Sequence, residues 1–339
     1  MSGEELGRTT AMVRVRKDAL DLTAQERTAF LEALATLNGH RRPLGPRDAY
    51  AKYARAHERA SLHGIHRAFV GYPLFLAWHR AFLLSFEREL QASHPVVTVP
   101  YWAFDERSDG VFVPDFMGAV AGGVEEPGGT LVNFDSSNPL SGWQLPNGVV
   151  GNGIVARFRN AVIPLEDYNP ATKTVDEIIA SPGGNSYSFA NGDFELNYHN
   201  QAHIHVGGTL ENFNSPADPL FFMLHANVDR GWAEWQHKVD RFDPDDEGAY
   251  SLQGVFPEED GLLLKGSWSG DAMWPWSQED GSATTLGSDD WPSAGFPFPA
   301  GVGPFGPTAP PTPGDMIDYM GVMGATPLEM CYDNLKWPT

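Results

Sequence analysis

Cysteine is almost missing from this sequence: Cys331 is the single one in 339 residues. An intrachain disulfide is therefore excluded, and the fold needs no oxidising compartment. No run approaches the roughly 18 apolar residues of a membrane span. Residues 1–22 hold no apolar core of the kind a secretory signal requires. Basic residues are few, 23 Lys and Arg against 44 Asp and Glu, and the net charge of −21 argues against nucleic acid or an anionic membrane as partner. The default expectation is a cytoplasmic protein, with export by a partner left open. Repeats at solenoid or propeller periods are also absent.

What the chain does have is aromatic and apolar content, 42% hydrophobic with 10 Trp and 20 Phe, enough for a substantial core. Its most informative stretch is Asn197 to Trp232, NYHNQAHIHVGGTLENFNSPADPLFFMLHANVDRGW. His199 and His203 stand four apart and share one face of a helix. Asp218 as N-cap and Pro219 as first residue predict a second helix through Trp232 or beyond. His225 lies inside its wide apolar face of Phe221, Phe222, Leu224, Val228 and Trp232. Any one of these histidines alone reads as a satisfied core residue. An i, i+4 pair followed by a third on a buried helix favours a metal, because neutral imidazole suits Cu, Zn, Fe or Ni.

Three further helices are expected upstream. Thr23 and Glu26 form a capping box ahead of Phe30, Leu31, Leu34 and Leu37, with Gly39 at the end. A second helix covers about Pro46 to Leu62, with Tyr50, Tyr53, Ala54 and His57 on one stripe. A third starts near Pro73 and lines up Phe75, His79, Phe82, Phe86 and Leu90, with Arg80, Glu87 and Arg88 off that face. His63 and His66 fall on the loop between the last two. VVTVPYWAF (96–104) reads as extended, and 105–195 as mostly loop with short helices such as 174–180. Residues 240–315 form an irregular Pro/Gly/Trp-rich insertion whose aromatics suggest a surface lid. Both histidine groups serve one site, so the chain is read as one domain, 1–339.

YAKYARAH, HRAFVGYPLFLAWHRAFLLSFERELQ, VPYW, HNQAHIHVGG and SPADPLFFMLHANVDRGWAEWQ occur here in that order. In order and spacing they resemble the tyrosinase family, the type 3 copper proteins that include tyrosinases, catechol oxidases and molluscan haemocyanins. VRKDALDLTAQE and MCYDNLKW resemble the edges of the bacterial core. The resemblance implies a mainly α fold, a four-helix bundle holding a dinuclear copper centre with long loops and minor β-strands. It implies two copper ions: CuB on His199, His203 and His225, and CuA on His57, His79 and a middle histidine. Family spacing places that middle ligand at Val70, as if four residues were inserted here. His66 is chosen, with His63 the alternative. Leu224 stands where many relatives have a second histidine, and His205 where a Trp is common. Glu195 and Asn200 resemble the carboxylate and amide that hold an activating water. Read without the family, they are a solvated loop carboxylate and a helix-surface amide. Asp229 either orients a ligand imidazole or pairs with an arginine.

With O2 as co-substrate, the resemblance implies oxidation of monophenols or o-diphenols to o-quinones. A monophenol must first lose a proton of pKa near 10, so a poised base is needed. The near alternatives are a catechol oxidase or an o-aminophenol oxidase. From another class comes a reversible O2 carrier like haemocyanin. The expected partner is a small phenolic substrate, with a copper-delivery or export helper protein left open.

Overall fold

The computed structural model describes residues 14–39, 48–62, 64–68, 71–106, 110–120, 129–145, 155–158, 172–250, 266–273, 276, 310–324 and 327–335. In chain order the elements are β1 (Arg14–Arg16), α1 (Ala24–Leu37), α2 (Asp48–Leu62), α3 (Leu74–Ser93), β2 (Thr130–Leu131), β3 (Ala156–Arg157) and α4 (Val175–Ala180). They continue with α5 (Tyr187–Asp193), α6 (Asn200–Val206), α7 (Leu220–Val239), α8 (Pro313–Ile317) and β4 (Met330–Tyr332). The architecture is mainly α, as expected. Helices α2, α3, α5–α6 and α7 form the four-helix bundle, and among the described residues none is long and apolar enough to cross a membrane.

The local signals that start these helices are the expected ones. The Thr23 hydroxyl accepts from the Glu26 N–H while Glu26 reaches back to the Thr23 N–H, closing the capping box on α1. Helix α7 begins one residue later than expected, at Leu220 with Pro219 as its N-cap, and the Asp218 carboxylate accepts the Leu220 N–H at 2.9 Å. It ends on Asp240 at φ 55, a left-handed position that Asp tolerates better than most residues. The 96–104 segment makes an isolated bridge between Asp18 and Tyr101, and it is held further by the Val99 N–H on Glu87 and the Trp102 N–H on the Met223 carbonyl.

One region differs from expectation. Helix α5 begins at Tyr187 and runs without a break through a π turn, Phe194–His199, into α6. Glu195 therefore sits on a buried helical turn and not on a loop. In the widened turn the Asn200 N–H donates to the Glu195 carbonyl, five residues back. The Gln201 amide bonds the Leu196 carbonyl and the Lys173 N–H bonds that of Asn197, so the carbonyls around the turn stay paired.

Packing between α2, α3 and α7 is aromatic. Phe222 stacks on Phe86 with centroids 3.4 Å apart, and the Tyr50 and Tyr53 rings meet both edge-on. Truncating one such ring costs about 3–5 kcal/mol. Below this layer the two ends of the chain meet, β1 pairing in parallel with β4 from Arg14↔Met330 to Arg16↔Tyr332. That pairing delivers Arg16 and Tyr332 to α3 and α7. Arg16 donates to both oxygens of Glu87 at 3.0 Å and to Asp229 at 3.0 Å. Arg80 donates to Asp229 at 2.5 Å and lies over the Trp232 ring. The Tyr332 hydroxyl completes the set on Asp229, again at 2.5 Å. Arg80, Glu87 and Arg88, expected off the buried face, are all buried.

The described parts of 240–315 pack on this bundle. Tyr250 lies 4.8 Å from the Tyr187 ring, and Trp276 lies 5.8 Å from Trp78. The remainder of that insertion, and with it the expected lid, lies outside the described residues.

Candidate metal centre

Each helix of the bundle brings its histidine to one place. His57 projects from the tyrosine stripe of α2 and His79 from the phenylalanine stripe of α3. His199 ends the π turn, His203 follows on α6, and His225 comes from α7. All five are buried, and His66, from the loop after α2, is half-buried. His57 Nε2 lies 3.3 Å from His79 Nε2 and 3.0 Å from His66 Nε2. His225 Nε2 lies 3.2 Å from His199 Nε2 and 3.4 Å from His203 Nε2. His79 and His225 stack with centroids 4.3 Å apart, which joins the two groups.

Among the described residues, two sets of three have ligand nitrogens close enough to share one ion: His199, His203 and His225, and His57, His79 and His225. The first is the expected CuB set. In the second His225 stands where His66 was expected, while His66 contacts His57 from the pocket side. His63, the alternative, and Val70 lie outside the described residues.

The chemistry of the donors can be read from their other nitrogens. Nδ1 of His57 faces the Phe213 carbonyl at 2.6 Å, that of His79 the Phe75 carbonyl at 2.7 Å, and that of His203 the Leu210 carbonyl at 2.5 Å. His199 Nδ1 faces Asn200 Oδ1 at 2.9 Å. A carbonyl can only accept, so each Nδ1 carries the proton and each neutral ring keeps its Nε2 lone pair. Burial, above all, holds the pKa values of His57, His79, His199 and His225 well below the usual histidine range, and lowers His203 to about 4. At His57 and His79 two unprotonated lone pairs then face each other at 3.3 Å, an arrangement that repels unless a cation lies between them. The spacing suits nitrogens sharing one ion at bonds of about 2.0–2.1 Å. The residues present fit a metal of the kind that neutral imidazole binds.

Above the imidazoles opens a cavity of about 290 Å³, walled by Glu195, Asn200, Ile204, Glu211, Asn212 and Phe213. Glu195 is 2% exposed, and its Oε1 lies 3.5 Å from His66 Nδ1. The solvated-loop alternative does not describe Glu195, which is buried, while Asn200 is half-buried on α6 and lines the pocket with its amide on a histidine. Asp229 touches no imidazole in its described contacts and belongs to the arginine network, which decides that alternative. Leu224 is fully buried and does not line the cavity. Sequence reasoning missed the 210–215 segment, whose carbonyls hold two histidines and whose side chains form the rim. Its signal was position alone, since ligand-bearing helices flank it on both sides.

Fold and donors together define a protein with a helical bundle built around a dinuclear, all-imidazole metal cage. Residues 47–238 match the family model described as the common central domain of tyrosinase. The chain is 32% identical over 237 residues to the tyrosinase of Streptomyces antibioticus, covering 66% of this chain and 83% of that one. It therefore belongs to the tyrosinase family, whose dinuclear copper site works with O2 and is the cofactor these histidine clusters fit. Two solved structures share the fold. A functional unit of octopus haemocyanin aligns with a TM-score of 0.57 and 20% identity over 96% of this chain and 69% of its own. A polyphenol oxidase from Thermothelomyces thermophila aligns at 0.52 and 18% identity over 96% and 89%.

Proposed function

We propose that this protein is a copper-dependent oxidase that converts small monophenols and o-diphenols to o-quinones with O2. CuA is assigned to His57, His66 and His79, and CuB to His199, His203 and His225. The observation that carries this reading is the cavity of about 290 Å³ whose floor is the imidazole cluster and whose wall holds a buried carboxylate. An O2 carrier needs no such opening, and a phenol does.

Bound copper supplies the exchange of electrons with O2. The overall changes balance as one monophenol and one O2 giving one o-quinone and one water, or two o-diphenols and one O2 giving two o-quinones and two waters. The chain itself binds and orients the substrate. Ile204 and Phe213 offer apolar surface to the ring, and the rim excludes bulk water from one side. Glu195 and Asn200 hold a water that takes the phenolic proton, with Glu195 as base. The carbonyls of Phe213, Phe75 and Leu210 keep three imidazoles in the tautomer that binds metal.

A catechol or o-aminophenol oxidase is the narrower version of the same activity. Metal analysis and an oxygen electrode decide among these. Two coppers per chain with O2 uptake on 4-ethylphenol and 4-ethylcatechol support the full activity. Uptake on the catechol or on 2-aminophenol only selects the narrower version. Reversible O2 binding without turnover of any of them overturns the enzyme reading.

A further inference from the structure

We propose that Glu211 makes this pocket select phenols whose para side chain ends in an ammonium group over those ending in a carboxylate. The inference rests on the reading of the cavity as a phenol site and names the substrate class within it.

The charges around the cavity are one-sided. Among the described residues that line it, the ionisable groups other than histidine are Glu195 and Glu211, and no Lys or Arg is present. The imidazoles form the floor of the cavity and Glu211 its rim, so the charge of a bound metal acts at the phenol hydroxyl and that of Glu211 at the mouth. Glu195 is buried beside His66, inside the site. Glu211 ends a 3₁₀ turn, Gly208–Glu211, and is exposed at the rim. It makes no ion pair or hydrogen bond with another described residue, so its charge is presented to whatever enters.

Substrate geometry brings the two together. A phenol whose hydroxyl rests on the imidazole floor points its para substituent outward, past Ile204 and Phe213. These side chains are 45% and 55% exposed, apolar surface that suits the ring but offers a charged tail nothing. The tail then reaches the rim, where Glu211 attracts an ammonium and repels a carboxylate. The net charge of −21 acts in the same direction on approach. The bland alternative is that Glu211 is a solvated surface carboxylate without effect on substrates.

Tyramine and 3-(4-hydroxyphenyl)propionate differ in the sign of one tail charge, and 4-ethylphenol carries none. An exposed charge pair gives a modest effect, and reversing the sign of the tail doubles the difference. Wild-type kcat/KM for tyramine should therefore exceed that for the propionate by about tenfold, mainly through KM. The ratio should shrink in 0.5 M salt. Glu211→Gln should reduce it roughly threefold, and Glu211→Lys roughly tenfold, abolishing the preference. Equilibrium titration of the three phenols into the holoenzyme should show the same order without turnover. Equal or better use of the propionate by wild type overturns the proposal, as does a ratio unmoved by both substitutions. If 4-ethylphenol and 4-ethylcatechol are not oxidised at all, the underlying phenol reading fails instead. In that case the titration alone still decides whether Glu211 discriminates by charge.

Discussion

Helices α3 and α7 carry two buried polar centres, His79 next to Arg80 on one and His225 a turn before Asp229 on the other, and the two are built on opposite principles. At His79 and His225 the groups are neutral imidazoles stacked on each other, the Nε2 of one facing His57 and that of the other facing His199 and His203. At Arg80 and Asp229 the groups are charged and close on themselves. Arg16 and Arg80 are matched by Glu87 and Asp229, with Tyr332 filling the remaining acceptor position. A buried charge cluster that is balanced and fully bonded has nothing left to offer a ligand. A buried set of unprotonated, converging nitrogens is incomplete until a cation arrives. Function therefore lies in the centre that the protein leaves unfinished.

The sharpest way to break the contrast is to unbalance the finished centre. Asp229→Ala leaves two buried guanidiniums facing one carboxylate. It should destabilise the metal-free protein by about 3–5 kcal/mol, read from denaturant unfolding. Survival of full stability would mean that the network is not the clamp joining the chain ends to the bundle.

The unfinished centre should respond in activity instead. Glu195→Gln should slow monophenols roughly 100- to 10,000-fold more than o-diphenols, because an amide cannot serve as base. Copper content should stay the same, since Glu195 is not assigned as a ligand. Equal losses on both substrates would point to a structural role. Next in size is the stabilisation by copper itself. At 100-fold excess over Kd, copper should add about 2.7 kcal/mol to wild-type stability. In His225→Ala this gain should be largely lost together with copper content, while the helical circular-dichroism signal persists. Two tightly held coppers in that variant would refute the assignment of His225.

Asn200→Ala probes His199, a ligand imidazole whose Nδ1 faces a side-chain amide rather than a backbone carbonyl. Copper affinity should fall about 10- to 100-fold, which competition with a chelator would measure. The smallest effect is a control remote from both centres. Thr23→Ala removes the α1 cap and should cost about 1 kcal/mol with no change in copper binding. Glu26, held at about 2 chiefly by the hydrogen bond from Lys17, has a lower pKa folded than unfolded. Its small, solvent-screened contribution is present above about pH 4.5 and lost as pH falls towards 2.

Local and periodic features were legible directly. The capping box at Thr23, the phenylalanine stripe around His79 and the i, i+4 histidine pair depend on neighbours within a turn or two, and such spacing is written in the chain. The same holds for His225, because an apolar face at helical period has one orientation towards a core. Tertiary structure alone decided what depends on partners far apart in sequence. Asp229 could have served an imidazole or an arginine, and only the parallel pairing of β1 with β4 brought Arg16 and Tyr332 to it. The π turn that buries Glu195 leaves no mark in residue type, since it is a matter of which carbonyl each N–H reaches. Backbone carbonyls at Phe213 and Leu210 orient two histidines, yet every residue has a carbonyl, so no side-chain pattern could single them out. The rim follows the same logic: Glu211 reads as one acidic residue among 44 until the fold places it at the mouth of the pocket.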